Sequence, residues 1–416
     1  MTWKEISLGE VINIKHGYAF KSKFFSNSGK YIVLTPGNCY ETGGLKLKGE
    51  KEKYYIGDPP EEFILSKNDL LIVMTDLVQS APILGGSFLI PDNDKFLHNQ
   101  RLGLVKIQNP DVIDKRYLFY VLNTNNYRSQ VRGSATGTTV KHTAPERLYR
   151  CKIPFPPLQQ QNKIADILSK YDDLIENNRR RIELLEESAR LLYREWFVHL
   201  RFPGHEHSPI IDGIPEGWKY EQLGNLVLEI IDYRGKTPKK LGGNWSNSGI
   251  PAISALNVKN NQLINLDKCK FVDEDLYEKW MKSKLQKGDI LMTSEAPLGE
   301  ISYFSSDQKY CLSQRLYAIR ANPKLIKPSI LCYSLLSSRV QAEIYARQTG
   351  TTVFGIRQTA LRQVPILVPP MNLQENISPT LEKFLDQKHI LKKQIYQLQK
   401  ARDLLLPRLM NGEITV

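Results

Sequence analysis

Two segments of this chain carry side chains suited to holding a phosphate or the edge of a base. Residues 133–142 contain Gly137-Thr138-Thr139-Val140, and residues 348–357 contain Gly350-Thr351-Thr352-Val353. Glycine permits close approach of a backbone, threonine hydroxyls and amides bond phosphate oxygens, and lysine or arginine reaches phosphates or base edges. On that chemistry the candidate contacts are Thr136, Thr138, Thr139, Lys141 and His142 in the first segment, and Thr351, Thr352 and Arg357 in the second. A second matched pair combines cations with aromatics: Tyr18, Lys21 and Lys23 against Tyr233, Arg234, Lys236, Thr237 and Lys239. Gln100-Arg101 and Gln314-Arg315 complete the set. Loops of this composition are commonly plain turns, but these recur at equivalent places. After the shared Gly-Thr-Thr-Val they diverge, Lys141-His142-Thr143-Ala144 standing opposite Phe354-Gly355-Ile356-Arg357. If the loops read a sequence, the two read different ones.

Chemistry of the bond-making kind finds no motif. There is no Gly-x-x-x-x-Gly-Lys-Ser/Thr phosphate loop, no Asn/Asp-Pro-Pro-Phe/Tyr motif and no Gly-x-Gly-x-x-Gly after a strand. Pro91-Asp92 is not followed by the Asp/Glu-x-Lys of a nuclease, and Phe155-Pro156-Pro157-Leu158 only leads into a helix. His205 and His207 lack a third ligand nearby, so neither a metal nor a catalytic residue is assigned. The expectation is a binding protein whose chemistry comes from partners.

These loops recur because the chain repeats itself at an offset of about 213 residues. Trp3-Lys4 and Leu8-Gly9 return as Trp218-Lys219 and Leu223-Gly224, Asn109-Pro110 as Asn322-Pro323, and Pro156-Pro157 as Pro369-Pro370. A period this long is a domain duplication rather than a solenoid, and it implies pseudo-two-fold symmetry. The net charge of +13 follows the same pattern. Residues 1–157 hold 21 Lys/Arg against 15 Asp/Glu, and residues 200–371 hold 22 against 16, while the intervening stretches are near neutral. Two equally basic globules suit a polyanion with a dyad, and duplex DNA is the first candidate. Five cysteines without a C-x-x-C pair argue against a disulfide scaffold and fit a reducing, cytoplasmic setting. No apolar run reaches a membrane span and no signal peptide opens the chain.

The elements that must position the loops follow from periodicity. Each half has short β-like runs such as 69–74 and 288–292, then helix-like segments at 117–128 and 329–347. This predicts two α/β (α+β) globular domains, 1–157 and 201–371, the second preceded by a Pro/Gly-rich joint at 201–217. Between and after them, 158–200 and 372–416 read as long helices. The apolar stripe of the first is Tyr171, Leu174, Ile182, Leu185, Ala189, Leu192 and Trp196, with Asn178 as a polar interruption where the step is four and four. The stripe of the second is Phe384, Leu391, Ile395, Leu398, Leu405 and Leu409. Charge-dense helices with a single apolar stripe need a partner. Pseudo-symmetry makes each the other's partner in an antiparallel coiled coil.

Several of these residues together resemble one family, the specificity subunits of type I restriction-modification systems. The resemblance rests on Pro154-Phe155-Pro156-Pro157-Leu158-Gln159-Gln160-Gln161 with Ile164-Ala165, on residues 189–197 ending in Trp196-Phe197, on residues 213–218 and 234–238, and on Leu404 through Ile414. It covers essentially the whole chain as target-recognition domain, conserved helix, target-recognition domain, conserved helix. It implies that each recognition domain reads one half of a bipartite DNA site, with the coiled coil setting the unread gap. It implies assembly with two methyltransferase subunits, which bring S-adenosylmethionine, and with restriction subunits, which bring ATP and Mg; the chain itself is expected to hold no cofactor. Two other readings stay open on the residues: a coiled-coil scaffold with non-specific nucleic-acid-binding heads, and a specificity subunit serving a methyltransferase without a restriction partner.

Overall fold

In a computed structural model of the chain, which describes residues 3–416, alternation along a few buried strands organises each half. In the Leu70–Val73 strand every residue is buried. Leu70 and Ile72 join one apolar cluster with Tyr117, Leu118 and Val121, while Leu71 and Val73 join another with Phe88, Ile32 and Leu34. Successive side chains of a strand point to opposite faces, so this strand is covered by helices on one side and by a second small sheet on the other. The same division recurs later in the chain. Ile290 and Met292 of the Ile290–Thr293 strand face the helices, and Leu291 faces the second sheet beside Ile253 and Leu312.

We number the main strands β1 (Ile12–His16), β2 (Leu70–Val73), β3 (Ser87–Leu89) and β4 (Leu102–Ile107), then β5 (Val227–Asp232), β6 (Ile290–Thr293), β7 (Ile301–Tyr303) and β8 (Leu316–Ala321). The first four form an antiparallel sheet in the order β1-β4-β2-β3, and the last four repeat that order as β5-β8-β6-β7. The helix-like stretches resolve into pairs of short helices, Lys115–Val121 with Asn125–Gly133 and Pro328–Leu336 with Ser338–Ala346. The long helices are α1 (Leu158–Phe197) and α2 (Met371–Met410), each 40 residues and therefore about 60 Å long.

The compact units do not follow chain order: one is Met1–Glu176 with Tyr396–Val416, the other Asn177–Ile395. Each combines one globular half with a stretch of both long helices. In the first unit, Ile164, Ala165 and Leu168 of α1 and Leu409 and Met410 of α2 enter the globular core. Asp172 of α1 pairs with Arg402 of α2 and accepts a 2.7 Å bond from Tyr120 of the globule. In the second unit, Ala189, Tyr193 and Phe197 share a core with Ile377, Leu381 and Leu385. There Asn178 donates to Gln394 at 3.3 Å and Lys388 meets Glu186 at 2.8 Å, so ascending positions on α1 meet descending ones on α2. The helices pack antiparallel.

One seam residue was misplaced by counting. Leu174 stands 51 % exposed, and Ile175, 2 % exposed, takes its place. With Ile175 the seam runs Tyr171, Ile175, Asn178, Ile182, Leu185, Ala189, Leu192, Trp196 in alternating steps of four and three. The four-and-four break at Asn178 therefore does not exist; Asn178 is a buried member of a regular heptad pattern. Leu391 and Leu409 are buried, and Tyr171, Ile182, Leu185, Leu192, Trp196, Phe384, Ile395, Leu398 and Leu405 are half-buried. The steps of seven in the α2 stripe are filled by Lys388 and Arg402, polar residues with ion-pair partners.

The start of each long helix is tied to its globule by one glutamine. Gln161 is fully buried; its amide donates to the Val112 and Pro156 carbonyls at 3.0 and 2.9 Å and its oxygen accepts from Asp114 N–H at 3.0 Å. Gln374 repeats all three bonds 213 residues on, to Leu325, Pro369 and Lys327, at 3.0, 2.9 and 2.9 Å. The two assignments of the seam residue can be separated by stability. Ile175→Ala should cost about 2–4 kcal/mol in urea unfolding, through lost burial and a cavity, while Leu174→Ala should change it by less than about 0.5 kcal/mol. Equal effects would restore the original count.

Candidate nucleic-acid interface

The candidate loops meet because of sheet order. In β1-β4-β2 the strands alternate in direction, so the ends of β1 and β2 and the beginning of β4 lie along one edge. Residues after β1, after β2 and before β4 are therefore neighbours. Tyr18 N–H donates to the His98 carbonyl at 2.9 Å, and Gln100 N–H donates to Tyr18 at 3.1 Å. Met74 N–H donates to Arg101 at 3.0 Å, and Thr143 N–H donates to Met74 at 3.0 Å. The last bond brings in the Gly-Thr-Thr-Val segment, whose Lys141 and His142 pair antiparallel with Asp76 and Thr75.

The other unit assembles the same four segments on the corresponding edge of β5-β8-β6. Gln314 Nε2 donates to the Lys236 carbonyl at 2.9 Å, holding the loop after β5 against the turn before β8. Ser294 N–H donates to Arg315 at 2.9 Å, and Ile356 N–H donates to Ser294 at 3.0 Å. An open cleft of about 330 Å³ lies here, with Arg234, Ser294, Glu295, Thr349, Gly350 and Arg357 in its lining.

Each Gly-Thr-Thr-Val segment is a closed hairpin. Thr136 and His142 exchange two backbone bonds at 2.9 Å each, and Thr349 and Gly355 exchange two at 2.7 and 3.0 Å. The turn folds back so tightly that a Cβ on Gly137 would lie 1.9 Å from the Val140 carbonyl oxygen, and one on Gly350 2.2 Å from that of Val353. Both glycines also have positive φ, +93° and +114°, so glycine is required at both turns.

Among the expected contact residues, Lys21, Lys23, Gln100, Arg101, Thr136, Thr138, Thr139 and His142 are exposed in the first unit, and Lys141 is half-buried. In the second, Arg234, Lys239, Gln314, Arg315, Thr351, Thr352 and Arg357 are exposed. Arg234 is pre-set: two of its nitrogens bond Asp232 at 2.8 and 2.9 Å, and its guanidinium lies 4.5 Å from the Tyr317 ring centroid. Arg315 meets Glu295 at 3.2 Å.

Four residues stand apart from the exposed set. Tyr233 is 9 % exposed, packs in the second-sheet core and accepts a 2.6 Å bond from Ser283 N–H, so it supports the loop and presents no ring to a ligand. Lys236 is pinned, its ammonium donating to the Trp280 carbonyl at 3.0 Å and lying 4.4 Å from the Tyr233 ring. Thr237 is half-buried and accepts from Lys240 N–H. Tyr18 is half-buried, its ring packed edge-on against Phe20 and tilted against Phe63, at 5.1 and 5.2 Å. Aromatics following a strand read as ligand contacts in sequence, but here the strand's direction turns them inward.

Other members of the edge were missed. Asp76 is buried and shapes its loop by accepting from Val78 and Ile83 N–H at 2.9 and 2.8 Å. Leu77, Val78, Val353 and Phe354 are exposed apolar side chains on the same edges. The signal available for Val353 and Phe354 was their place directly after Gly-Thr-Thr.

A sequence profile described as "Type I restriction modification DNA specificity domain" matches residues 1–187 and again residues 215–400. The chain belongs to that family. It is a specificity subunit of a type I restriction-modification system, with two copies of the specificity domain. A relative in Methanocaldococcus jannaschii, the type I restriction enzyme MjaIX specificity subunit, is 26 % identical over 315 residues, covering 74 % of this chain and 70 % of the relative. The Escherichia coli type I restriction enzyme EcoBI specificity subunit is 23 % identical over 435 residues, covering 100 % and 86 %. In fold, the chain is similar to the crystal structure of the type I restriction-modification system S subunit from M. genitalium, at a TM-score of 0.63 and 16 % identity over 99 % of this chain and 96 % of that one. No helix among the described residues of the specificity subunit is long and apolar enough to cross a membrane.

Two predictions follow from the interface geometry. Gly350→Ala should leave the circular-dichroism spectrum unchanged yet weaken binding to specific DNA at least tenfold, by displacing the hairpin that carries Thr351 and Thr352; unchanged binding would show that the hairpin is not part of the interface. His98 lies at the base of the first edge, fully buried, its Nε2 donating to the Leu102 carbonyl at 2.9 Å, and burial pushes its imidazole down to about 4. The unfolded chain then binds the proton more readily, so the stability from this site is complete above pH 6.5 and is lost as pH falls towards 4. In urea melts between these values, His98→Gln should show a shallower decline with falling pH than the parent; parallel declines would remove His98 as the cause.

Proposed function

We propose that this chain is the non-catalytic DNA-reading subunit of a type I restriction-modification complex, each unit recognising one half of a split site in duplex DNA. The observation that carries this reading is the repeated edge: the same four segments, on the same strand order, with different side chains at the hairpin. A conserved frame with divergent contacts is what recognition of two unlike half-sites requires. Exposed lysine and arginine on each edge neutralise phosphates, which makes binding strongly dependent on salt. Side chains on the hairpin and on the Gln-Arg turn contact base edges in the major groove, where one good bidentate contact discriminates by about 1–3 kcal/mol.

The reaction belongs to partners. Two methyltransferase subunits dock on the paired helices and supply S-adenosylmethionine for adenine methylation, which requires the target base to leave the stack. Restriction subunits, with ATP and Mg, join that core. The helices set the unread gap between the half-sites.

Co-expression of the chain with its methyltransferase subunit, followed by single-molecule sequencing of adenine methylation, should return one split motif with a constant gap. Inserting one heptad into both helices adds roughly 10 Å of rod. It should lengthen the gap by at most about 3 bp and leave both half-sites as they were. An unchanged gap would contradict the role of the helices as a spacer, and methylation without any motif would contradict the reading as a whole.

A further inference from the structure

The two hairpins share a frame and the Gly-Thr-Thr-Val turn, and differ directly after it. At positions 213 residues apart, Lys141 and His142 on the first correspond to Phe354 and Gly355 on the second. His142 is itself engaged, its Nδ1 lying 3.1 Å from Thr75 Oγ1. The second hairpin presents apolar surface there: Phe354 is 51 % exposed, and Val353, whose counterpart Val140 is half-buried, is 45 % exposed. Apolar surface left in water contributes nothing to folding, at roughly 25 cal/mol forgone per Å². The hairpin is already held closed by backbone bonds and glycine geometry, so these side chains are not needed to form it.

Their neighbours indicate what they meet. Val353 lines the open cleft together with Arg357, a cation suited to phosphate, and with Arg234 and Glu295, which are already paired with Asp232 and Arg315. Exposed apolar side chains beside a phosphate-seeking cation are suited to the base edges that lie next to the phosphates. Neither valine nor phenylalanine can exchange a hydrogen bond there. In the major groove the one apolar feature that distinguishes a base is the thymine C5-methyl group.

We propose that Val353 and Phe354 make one position of the half-site read by the second unit specific for thymine, by packing against its methyl group. Lys141, at the equivalent place in the first hairpin, makes no such demand. This inference rests on the reading that each unit recognises one half of a split site.

The test uses the full chain in complex with its methyltransferase subunits, on duplexes carrying the split motif found by methylation sequencing. Each thymine of both half-sites is replaced in turn by deoxyuridine, which removes only the methyl group. For the parent complex, one replacement in one half-site should weaken binding about three- to fivefold, the equivalent of one buried methyl. For Phe354→Ala, binding should be weaker overall and indifferent to that replacement, while Phe354→Leu should keep the sensitivity. The other half-site should respond alike in all three proteins. The proposal is overturned if no thymine separates the parent from Phe354→Ala, either because the motif has none at that place or because both lose equally. A wedge driven between base steps would give that equal loss. If the parent shows no split motif at all, the underlying reading fails and takes this proposal with it.

Discussion

A buried glutamine at the first turn of each long helix joins two parts of the protein that must not move against each other. Gln161 spends both of its N–H donors and one acceptor site on the chain: two bonds to carbonyls and one from a backbone amide. One of those carbonyls belongs to Pro156, just before the helix, and the other two partners lie on the segment leading into the Lys115–Val121 helix of the globule. Removing the side chain would leave the buried Pro156 carbonyl unpaired, at about 1–3 kcal/mol, together with the part-buried Val112 carbonyl and Asp114 N–H. Gln374 meets the same requirement with the same bonds. The direction in which each globule presents its sheet edge is therefore set relative to its own helix, and it is set identically in both halves.

Against this shared frame, the differences between halves fall where function would differ. Where α1 has Ile175, α2 has Lys388, buried at 6 % exposure and held by Glu186 and the Asn261 carbonyl. Where α1 has Ala189, α2 has Arg402, paired with Asp172. These charges lie at equivalent heptad positions yet occupy only α2, so each helix has a partner it fits better than a second copy of itself. At the edges, the turns and the backbone ladder recur while Lys141 gives way to Phe354. Frame and contacts thus vary independently, as a device for two unlike half-sites needs.

The duplication was legible because tryptophans, Pro-Pro pairs and Gly-Thr-Thr-Val recur in order, and that order implied the matching globules and helices. The edge itself was only half legible. Gln100-Arg101, Gln314-Arg315 and the two hairpins stood out by chemistry, but that β1-β4-β2 order brings them together depends on pairings between residues far apart, such as Leu104 with Leu71. Tyr233 was chosen for its ring, though its position after β5 directs that ring into the core. Leu174 was chosen over Ile175 because both are apolar neighbours and only packing separates them. Lys388 and Arg402 are not legible as seam residues because an apolar stripe does not reveal a cation that packs with an ion-pair partner. Gln161 lay inside a recognised motif, yet its task becomes visible only with the three backbone groups it serves.

In the proposed function, each globular half is an independent reader mounted on a common frame. The most direct measurement is adenine methylation sequencing of a complex in which residues 218–369 are replaced by residues 3–156, with both long helices retained. Two equal readers on a pseudo-two-fold frame should convert the split motif into a palindrome, built from the half-site of the first unit and its inverted copy across the original gap. Methylation that persists at the original asymmetric motif would contradict the claim, because the sequence of the second half-site would then not reside in the second globule.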